Sequence, residues 1–281
     1  MTNSIKTTML LAGMGGLFML IGGLLGGGPG VVIGFAIGLV MTGISYWKSD
    51  KLAIRSANAQ PVTREQMPQY WAIMEELTAK ADMPMPGLFI SPEPQPNAFA
   101  TGRNPSNAAV CITQGLVQYL SWDEIRGVLA HELAHIRNRD ILIGSVAAAV
   151  AMGINFAVNI AQFGMMFGGR DDDRPNPIVM IAAMILAPIA AGLLQMSISR
   201  TREFKADRSA ARLIGDGEPL ARALEKLGAM SGRIPSHVRP EQASAYIANP
   251  LAGQKTSFAG LFSTHPPMEA RIAKLRDGSW A

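Results

Sequence analysis

The chain has 281 residues, of which 48% are hydrophobic and only 16% are charged. Because soluble domains carry about 25% charged residues, this composition excludes an ordinary soluble protein, yet it leaves enough polar chain for a folded domain of about 150–180 residues. The net charge of +4 comes without a Lys/Arg run, which gives little support for nucleic-acid binding, and the single Cys111 excludes an internal disulfide and a multi-cysteine metal site.

The first apolar region, residues 7–47, contains no charged residue. It consists of two stretches on either side of Gly26-Gly-Gly-Pro-Gly30. Each stretch approaches the roughly 17–25 residues that cross a bilayer core, and the Gly/Pro segment favours a tight turn. A cleaved signal peptide is the alternative, but it predicts a single apolar segment of about 7–15 residues. We therefore expect residues 1–47 to form a transmembrane hairpin with two spans.

The next part of the chain, residues 48–140, has a mixed pattern of helices and strands. Helical spacing of apolar residues predicts a helix over residues 66–81. Short strands bounded by Pro and Gly are expected at residues 88–90, 98–100 and 108–113. Ser121-Trp-Asp-Glu124 is a capping-box pattern, which predicts the start of an apolar-faced helix that continues to residue 136.

This last helix carries His131-Glu132-Leu133-Ala134-His135. Residues four apart lie on the same helix face, so both imidazoles project where one small metal ion can bridge them. Glu132 lies about 100° around the helix, close enough to hold a water molecule without being forced to bind the metal. The pattern therefore predicts one zinc ion per chain, with two histidine ligands and Glu132 as general base, as in the zincins. Two histidines on a polar helix face are the alternative.

Two further uncharged stretches, residues 141–169 and 175–199, follow the histidine motif. Both are long enough to span a bilayer, so residues 141–199 are expected to form a second transmembrane hairpin, with a buried soluble hairpin as the alternative. Lys and Arg residues flank both hairpins on the side that holds residues 48–140 and 200–281. Because basic flanks favour the cytosolic side, we expect both termini and the histidine motif in the cytosol.

A catalytic zinc site usually has a third protein ligand. The metzincin arrangement is excluded, because Asn138 and Ile141 occupy the positions where it requires Gly and His. An acidic pair four residues apart follows the second hairpin and could supply a ligand and a residue that orients a ligating histidine. Pairing with neighbouring arginines on a solvated face is its alternative role. From the residues alone, the candidates are Glu203, Asp207, His265, His237 and Asp140.

The remainder of the chain contains two predicted helices and a long segment with little pattern. Residues 219–230 have helical spacing, and residues 264–272 open a last helix with prolines in its first turn, where a missing N–H is tolerated. Residues 231–262 are rich in Ser, Gly, Pro and Ala with weak periodicity. We expect this segment to be a mobile loop or lid.

Four segments together carry a family resemblance. They are HELAH at residues 131–135, SRTREFKAD at 199–207, NAFATG at 97–102 and STHPPMEARI at 263–272. Along essentially its whole length the chain resembles the HtpX-type membrane metalloproteases, which are relatives of the Ste24 CAAX prenyl endopeptidases. The resemblance implies an α+β fold: a mainly helical, gluzincin-like zinc peptidase domain with a small β-sheet, plus four transmembrane helices in two hairpins. Residues 48–140 would form the N-terminal part of that cytosolic domain and residues 200–281 its C-terminal part.

The resemblance also implies how the zinc site is completed. Glu203 would be the third zinc ligand, and Asp207 would steady a zinc-bound histidine. Arg271 would stabilise the site through a carboxylate.

Further implied roles concern the substrate. Asn97 and Ala98 would lie on an edge strand that receives a polypeptide as an added β-strand, so that main-chain hydrogen bonds give affinity with little sequence preference. His265 would lie near the cleft and hydrogen-bond the tetrahedral oxyanion. A structural role as a cap before the two prolines is the alternative for His265.

Together these implications describe a multi-pass enzyme of the bacterial inner membrane. It would cleave misfolded or damaged membrane proteins on the cytosolic side, as part of membrane protein quality control and the stress response. A prenyl-protein endopeptidase is one rival, but it needs a large intramembrane chamber that four spans seldom build. A non-catalytic membrane adaptor stabilised by zinc is the other, but structural zinc sites normally have four ligands and are rich in cysteine.

Overall fold

The computed structural model describes residues 3–142, 200–238, 243, 245–250 and 266–281. The helices in these ranges, numbered in chain order, are α1 Asn3–Ser56, α2 Pro68–Ala81, α3 Gln114–Tyr119, α4 Trp122–Arg137, α5 Arg200–Ile214, α6 Glu218–Met230 and α7 Met268–Arg276. The strands are β1 Gln60–Pro61, β2 Gly87–Ser91, β3 Ala98–Asn104 and β4 Asn107–Thr113. The predicted second hairpin lies outside the described residues, apart from its first two positions.

The long helical run α1 doubles back on itself near Gly27, whose φ is +58°. The backbones of Gly22 and Gly30 touch, so a Cβ on Gly22 would collide with the carbonyl group of Gly30. A Cβ on Gly34 would likewise collide with the carbonyl group of Phe18. In a continuous helix, eight residues span about 12 Å, so these contacts require two antiparallel arms that meet at glycines. The reversal falls within the Gly/Pro segment of the sequence.

None of the helices in the described ranges has both the length and the apolarity that a membrane crossing requires.

The four strands form one sheet with the order β1-β2-β4-β3. β2 and β4 are parallel, whereas β1 pairs antiparallel with β2 and β3 pairs antiparallel with β4. β3 therefore lies at an edge of the sheet, and it packs against α4. The Ala100 N–H of β3 donates to the Glu132 carboxylate, so this strand lies beside the histidine motif.

Helix α4 starts as the sequence predicts. The Ser121 hydroxyl accepts a hydrogen bond from the Glu124 backbone N–H at 3.3 Å, and the Glu124 carboxylate accepts one from the Ser121 N–H at 2.7 Å. This reciprocal capping box satisfies two N–H groups that the helix itself leaves without partners. Almost all of α4 is buried, because it packs against β3, α5 and α6.

The close approach of α4 and α6 depends on a glycine. A Cβ on Gly127 would lie 2.6 Å from the backbone nitrogen of Leu220 and 2.8 Å from its Cα. Both neighbours are backbone atoms, so any larger side chain would push α6 away. Gly127 thus fixes the spacing between the metal-motif helix and the helix that covers it.

The mixed architecture of helices with a small sheet is confirmed, and each of the three predicted short strands is present. β1 and α3 were not predicted. β1 has only two residues, and α3 has six, so neither is long enough to show a period in the sequence.

The segment predicted as a mobile loop or lid, residues 231–262, contains residues 246–248, which we call the strap. Tyr246, Ile247 and Ala248 are no more than 2% exposed. Tyr246 forms an antiparallel bridge with Phe99, and the Ile247 N–H donates to the Ala98 carbonyl at 3.1 Å. Because backbone groups make this pairing, no periodic pattern of side chains announces it in the sequence.

A candidate metal centre

Three side chains converge between α4 and α5. The Nε2 atoms of His131 and His135 lie 3.1 Å apart. The Glu203 carboxylate lies 3.7 Å from the first of these atoms and 3.5 Å from the second. His131 and His135 are one turn apart on α4, and Glu203 comes from the first turn of α5, so the three form one potential metal-binding group.

The spacing of these atoms fits zinc. Zinc binds histidine nitrogen and carboxylate oxygen at about 2.1 Å with tetrahedral geometry, which places neighbouring ligand atoms about 3.4 Å apart. The observed separations of 3.1, 3.5 and 3.7 Å bracket that value. Three protein ligands also leave a fourth position for water or substrate, as a catalytic site requires.

Each histidine is oriented by a carboxylate on its other nitrogen. His131 Nδ1 lies 2.9 Å from Asp207, and His135 Nδ1 lies 3.2 Å from Asp140. A carboxylate accepts a hydrogen bond from Nδ1–H, which selects the tautomer whose Nε2 lone pair is free to bind a metal. The structure therefore gives Asp140 an orienting position rather than a place among the ligand atoms.

Asp207 is held in turn by Arg271 of α7. The guanidinium donates to both carboxylate oxygens, at 2.7 and 2.8 Å, and Arg271 is fully buried. Burial alone would raise the pKa of Asp207, but the charge of Arg271 and hydrogen bonds from Arg271 and His131 outweigh it and lower the pKa to about 2. Asp207 is therefore ionised and stays available to His131.

The two histidines have different proton affinities. Burial lowers the pKa of His131 to about 4 despite the opposing effect of Asp207. Burial would also lower the pKa of His135, but Asp140, Glu203 and Glu132 outweigh it and raise the pKa to about 9. A ligating imidazole must be neutral, so metal binding displaces the proton that His135 otherwise carries at neutral pH.

Glu132 points to the other side of the group, towards β3. It is 2% exposed and accepts a hydrogen bond from the Ala100 N–H. Burial and the nearby charge of Glu203 raise its pKa to about 7, although His135, Ala100 and Arg271 act in the opposite direction. A carboxyl group with this pKa can accept a proton in one step and return it in the next.

The strand edge that the resemblance assigned to substrate is already occupied. The Asn97 side-chain amide donates to the Ala248 carbonyl at 2.8 Å, and its oxygen accepts from the Ala248 N–H at 3.2 Å. The Ala98 carbonyl accepts from Ile247. Within the described residues, the partner of this edge is therefore the chain's own strap.

The remaining two histidines of the sequence differ in what the structure describes. His265 lies outside the described residues, so its predicted role stays a prediction. His237 is 80% exposed beside Glu93 at the surface. The pairing of Asp140 with His135 was not predicted from the sequence. Asp140 follows His135 by five residues, just beyond the end of α4, and this short separation could have indicated the contact.

The centre combines two histidines one turn apart, a buried carboxylate between them and a glutamate from a distant helix. These features define the HExxH class of metal-dependent peptidases.

Comparisons with known proteins assign the family within this class. The model of Peptidase family M48 matches residues 64–279. Proteins named Protease HtpX homolog from Desulforapulum autotrophicum and Pelotomaculum thermopropionicum are 48% and 47% identical, over 99% and 97% of this chain and 91% and 98% of theirs. The chain belongs to peptidase family M48 and is a metalloprotease that acts on polypeptides, which confirms the resemblance.

A solved structure shares the fold. The crystal structure of S. mikatae Ste24p matches with a TM-score of 0.51 over 97% of this chain and 65% of that chain. Its sequence identity is 21%, so this likeness supports the architecture alone.

Proposed function

We propose that this chain is a zinc-dependent endopeptidase of the bacterial inner membrane that cleaves misfolded or damaged membrane proteins on the cytosolic side. The observation that carries the enzymatic part is the tetrahedral spacing of His131, His135 and Glu203 beside the buried carboxyl group of Glu132. The membrane location is supported by the composition, and the substrate class is what the family resemblance implies.

The proposed reaction is hydrolysis of a peptide bond. When bound, zinc supplies a Lewis acid that polarises the scissile carbonyl and acidifies water. Glu132 takes a proton from the attacking water and delivers it to the leaving amine. Asp207 and Asp140 keep the two imidazoles oriented through Nδ1, and Arg271 keeps Asp207 ionised. His265 is proposed, from the sequence, to donate to the oxyanion.

Membrane anchoring is supported by large apolar side chains of α1 that are exposed. Val32, Leu39 and Val40 of α1 are 60–68% exposed, and Phe35 and Trp47 are also exposed. Burying such a series of large apolar side chains in lipid removes them from water, at roughly 1.5–3 kcal/mol for each. The uncharged residues 141–169 and 175–199 give the same indication from the sequence.

Two kinds of variant test the catalytic assignment. Glu132→Gln should keep one zinc per chain and lose cleavage of an unfolded substrate such as casein, because the metal ligands remain while the proton acceptor is gone. His131→Ala and Glu203→Ala should instead lose zinc, measured by metal analysis after gel filtration. Cleavage of casein by purified Glu132→Gln protein at the wild-type rate would contradict the proposal.

Topology is tested through a new cysteine in the turn of the second predicted hairpin. The one native thiol, Cys111, is buried and its pKa is raised by burial, so it gives little background labelling. We expect Asp172→Cys in intact spheroplasts to react with a membrane-impermeant maleimide added outside. Reaction only after the membrane is opened would contradict the four-span arrangement.

The substrate class is tested by comparing a folded membrane protein with the same protein carrying a destabilising core substitution. We expect the full-length enzyme in proteoliposomes to cleave the destabilised form faster. The alternative of a prenyl-protein endopeptidase predicts that cleavage requires a prenylated cysteine, and equal cleavage with and without the prenyl group excludes it.

A further inference from the structure

The active-site carboxyl group is closed off in the described structure. Glu132 is 2% exposed and His131 is 1% exposed, so a polypeptide cannot reach them without displacing something. Within the described ranges, the strap lies along the edge of β3, the strand whose Ala100 N–H donates to Glu132. The contacts between the strap and β3 therefore indicate which kind of ligand could take its place.

The strap pairs with β3 through a single antiparallel bridge and adjoining hydrogen bonds. Its two central N–H groups donate to the Ala98 carbonyl at 3.1 Å and to the Asn97 side-chain oxygen at 3.2 Å. The Asn97 amide also donates to the Ala248 carbonyl at 2.8 Å, so this side chain holds both main-chain polar groups of one strap residue. These contacts involve main-chain atoms of the strap, which any extended peptide also has.

The strap also presents a carbonyl group to the metal centre. Arg271 Nη1 donates to the Ile247 carbonyl at 3.3 Å, and the same nitrogen lies 3.5 Å from the Glu203 carboxylate. The peptide unit between Ile247 and Ala248 is thus held next to a proposed zinc ligand. Arg271 contacts that carbonyl while it anchors Asp207, so one residue joins the strap to the histidine ligands.

The strap's side chains fill distinct environments. The Tyr246 ring packs on Phe99 with centroids 4.9 Å apart. Ile247 and Ala248 belong to the main hydrophobic core, where both are almost fully buried. A peptide that takes the same place must therefore bring an aromatic, an aliphatic and a small side chain in succession.

We propose that the strap occupies the place of a substrate strand, and that the enzyme's preferred substrates displace it with an extended segment of the same aromatic–aliphatic–small character. This inference rests on the proposed endopeptidase function. It makes Asn97 and Arg271 substrate-positioning residues that hold the main chain of the bound segment. Extended apolar segments of this kind are buried in folded proteins, so unfolding is what supplies them.

A disulfide between β3 and the strap tests whether the strap must leave. Phe99 and Tyr246 lie opposite each other in an antiparallel bridge, and the hydrogen bond of that bridge joins their neighbours, Ile247 and Ala98. Residues paired in this way are a non-hydrogen-bonded pair, whose Cα atoms are typically about 4.5 Å apart. That separation suits a disulfide. We therefore combine Phe99→Cys and Tyr246→Cys with Cys111→Ala, which removes the thiol directly opposite Phe99 on β4.

The oxidised triple variant should keep its zinc and cleave casein at least about tenfold more slowly than its reduced form, with recovery on reduction. The matched control is Phe99→Cys with Cys111 kept, since its disulfide joins β3 to β4 and leaves the strap free. That control should differ little between its oxidised and reduced forms. Equal rates for the oxidised and reduced triple variant would overturn the inference.

A second experiment avoids changes in the strap. The zinc-loaded, full-length Glu132→Gln protein is mixed with a peptide containing Tyr-Ile-Ala, and hydrogen exchange of the Ile247 and Ala248 amides is followed by mass spectrometry. We expect exchange at these amides to accelerate at least about tenfold on binding, because their partners on β3 are taken. A peptide that binds without changing this exchange overturns the inference.

Specificity provides the last comparison. Replacing Tyr by Ala in the peptide should weaken binding about tenfold or more, because the contact with Phe99 is lost. Equal binding of the two peptides contradicts the proposed preference. Failure of the proposed function is distinguishable, because wild-type protein would then be inactive on casein. If only this inference fails, the protein still cleaves casein, and locking the strap does not change the rate.

Discussion

Replacing Arg271 by Met should strongly destabilise the folded protein. Arg271 is fully buried, and its two hydrogen bonds of 2.7 and 2.8 Å neutralise Asp207, which is 3% exposed. Met keeps most of the volume but leaves a carboxylate buried without a cation, which typically costs about 3–5 kcal/mol. For a domain of this size, each kcal/mol lowers Tm by about 2–4 °C, so the expected decrease is about 6–20 °C.

Thermal unfolding in detergent, followed by tryptophan fluorescence, measures this decrease. Arg276→Met is the matched control, since Arg276 lies on the same helix but pairs with Glu218 and Glu225 at the surface, where solvent screens the interaction. Its Tm should change by only a small fraction of that decrease. Zinc content of Arg271→Met should also fall, because Asp207 no longer holds His131. Equal Tm values for the two variants would refute the reasoning.

Three further changes probe other parts of the site and its helix. Asp140→Asn removes the carboxylate from His135 Nδ1 and should weaken zinc binding about 10–100-fold, measured by competition with a chromophoric chelator; unchanged affinity would contradict the orienting role. Ser121→Ala removes the hydroxyl acceptor of the capping box and should cost about 1 kcal/mol, seen as a lower Tm with normal zinc content, whereas a Tm equal to wild type would argue against the cap. Burial would raise the pKa of Glu124, but hydrogen bonds from Lys226 and Ser121 outweigh it and lower the pKa below 4.5. A lowered folded-state pKa means that this stabilisation is complete above pH 4.5 and is lost as the pH falls through the folded-state pKa. Wild type should therefore lose its Tm advantage over Glu124→Gln as the pH falls below 4.5. If the Tm difference between wild type and Glu124→Gln instead grows on acidification, the pKa of Glu124 is not lowered by folding.

The parts of the fold that follow from local chemistry were predictable. The capping box at Ser121 begins α4 where expected, because its two hydrogen bonds join residues only three apart. Strands β2, β3 and β4 were visible as short apolar runs between Pro and Gly. The histidine pair on one helix face follows from the helix period itself.

The parts of the site that depend on contacts between residues far apart in the sequence were harder to predict. From the residues alone, Glu203 was one of five candidates, because nothing local brings α5 against α4; the family resemblance selected it. Asp140 stood among candidate ligands, whereas its contact is with the outer nitrogen of His135. The strap left no periodic signal, since its backbone makes the contacts with Asn97 and Ala98.

The Asp207–Arg271 pair also sets an order of events during translation. Residues are added from the N-terminus, so the ribosome makes both histidines, Glu203 and Asp207 before it reaches Arg271. Until then the carboxylate behind His131 has no cation, and burying it unpaired is unfavourable. The last helix of the chain therefore supplies the cation on which the orientation of His131 depends.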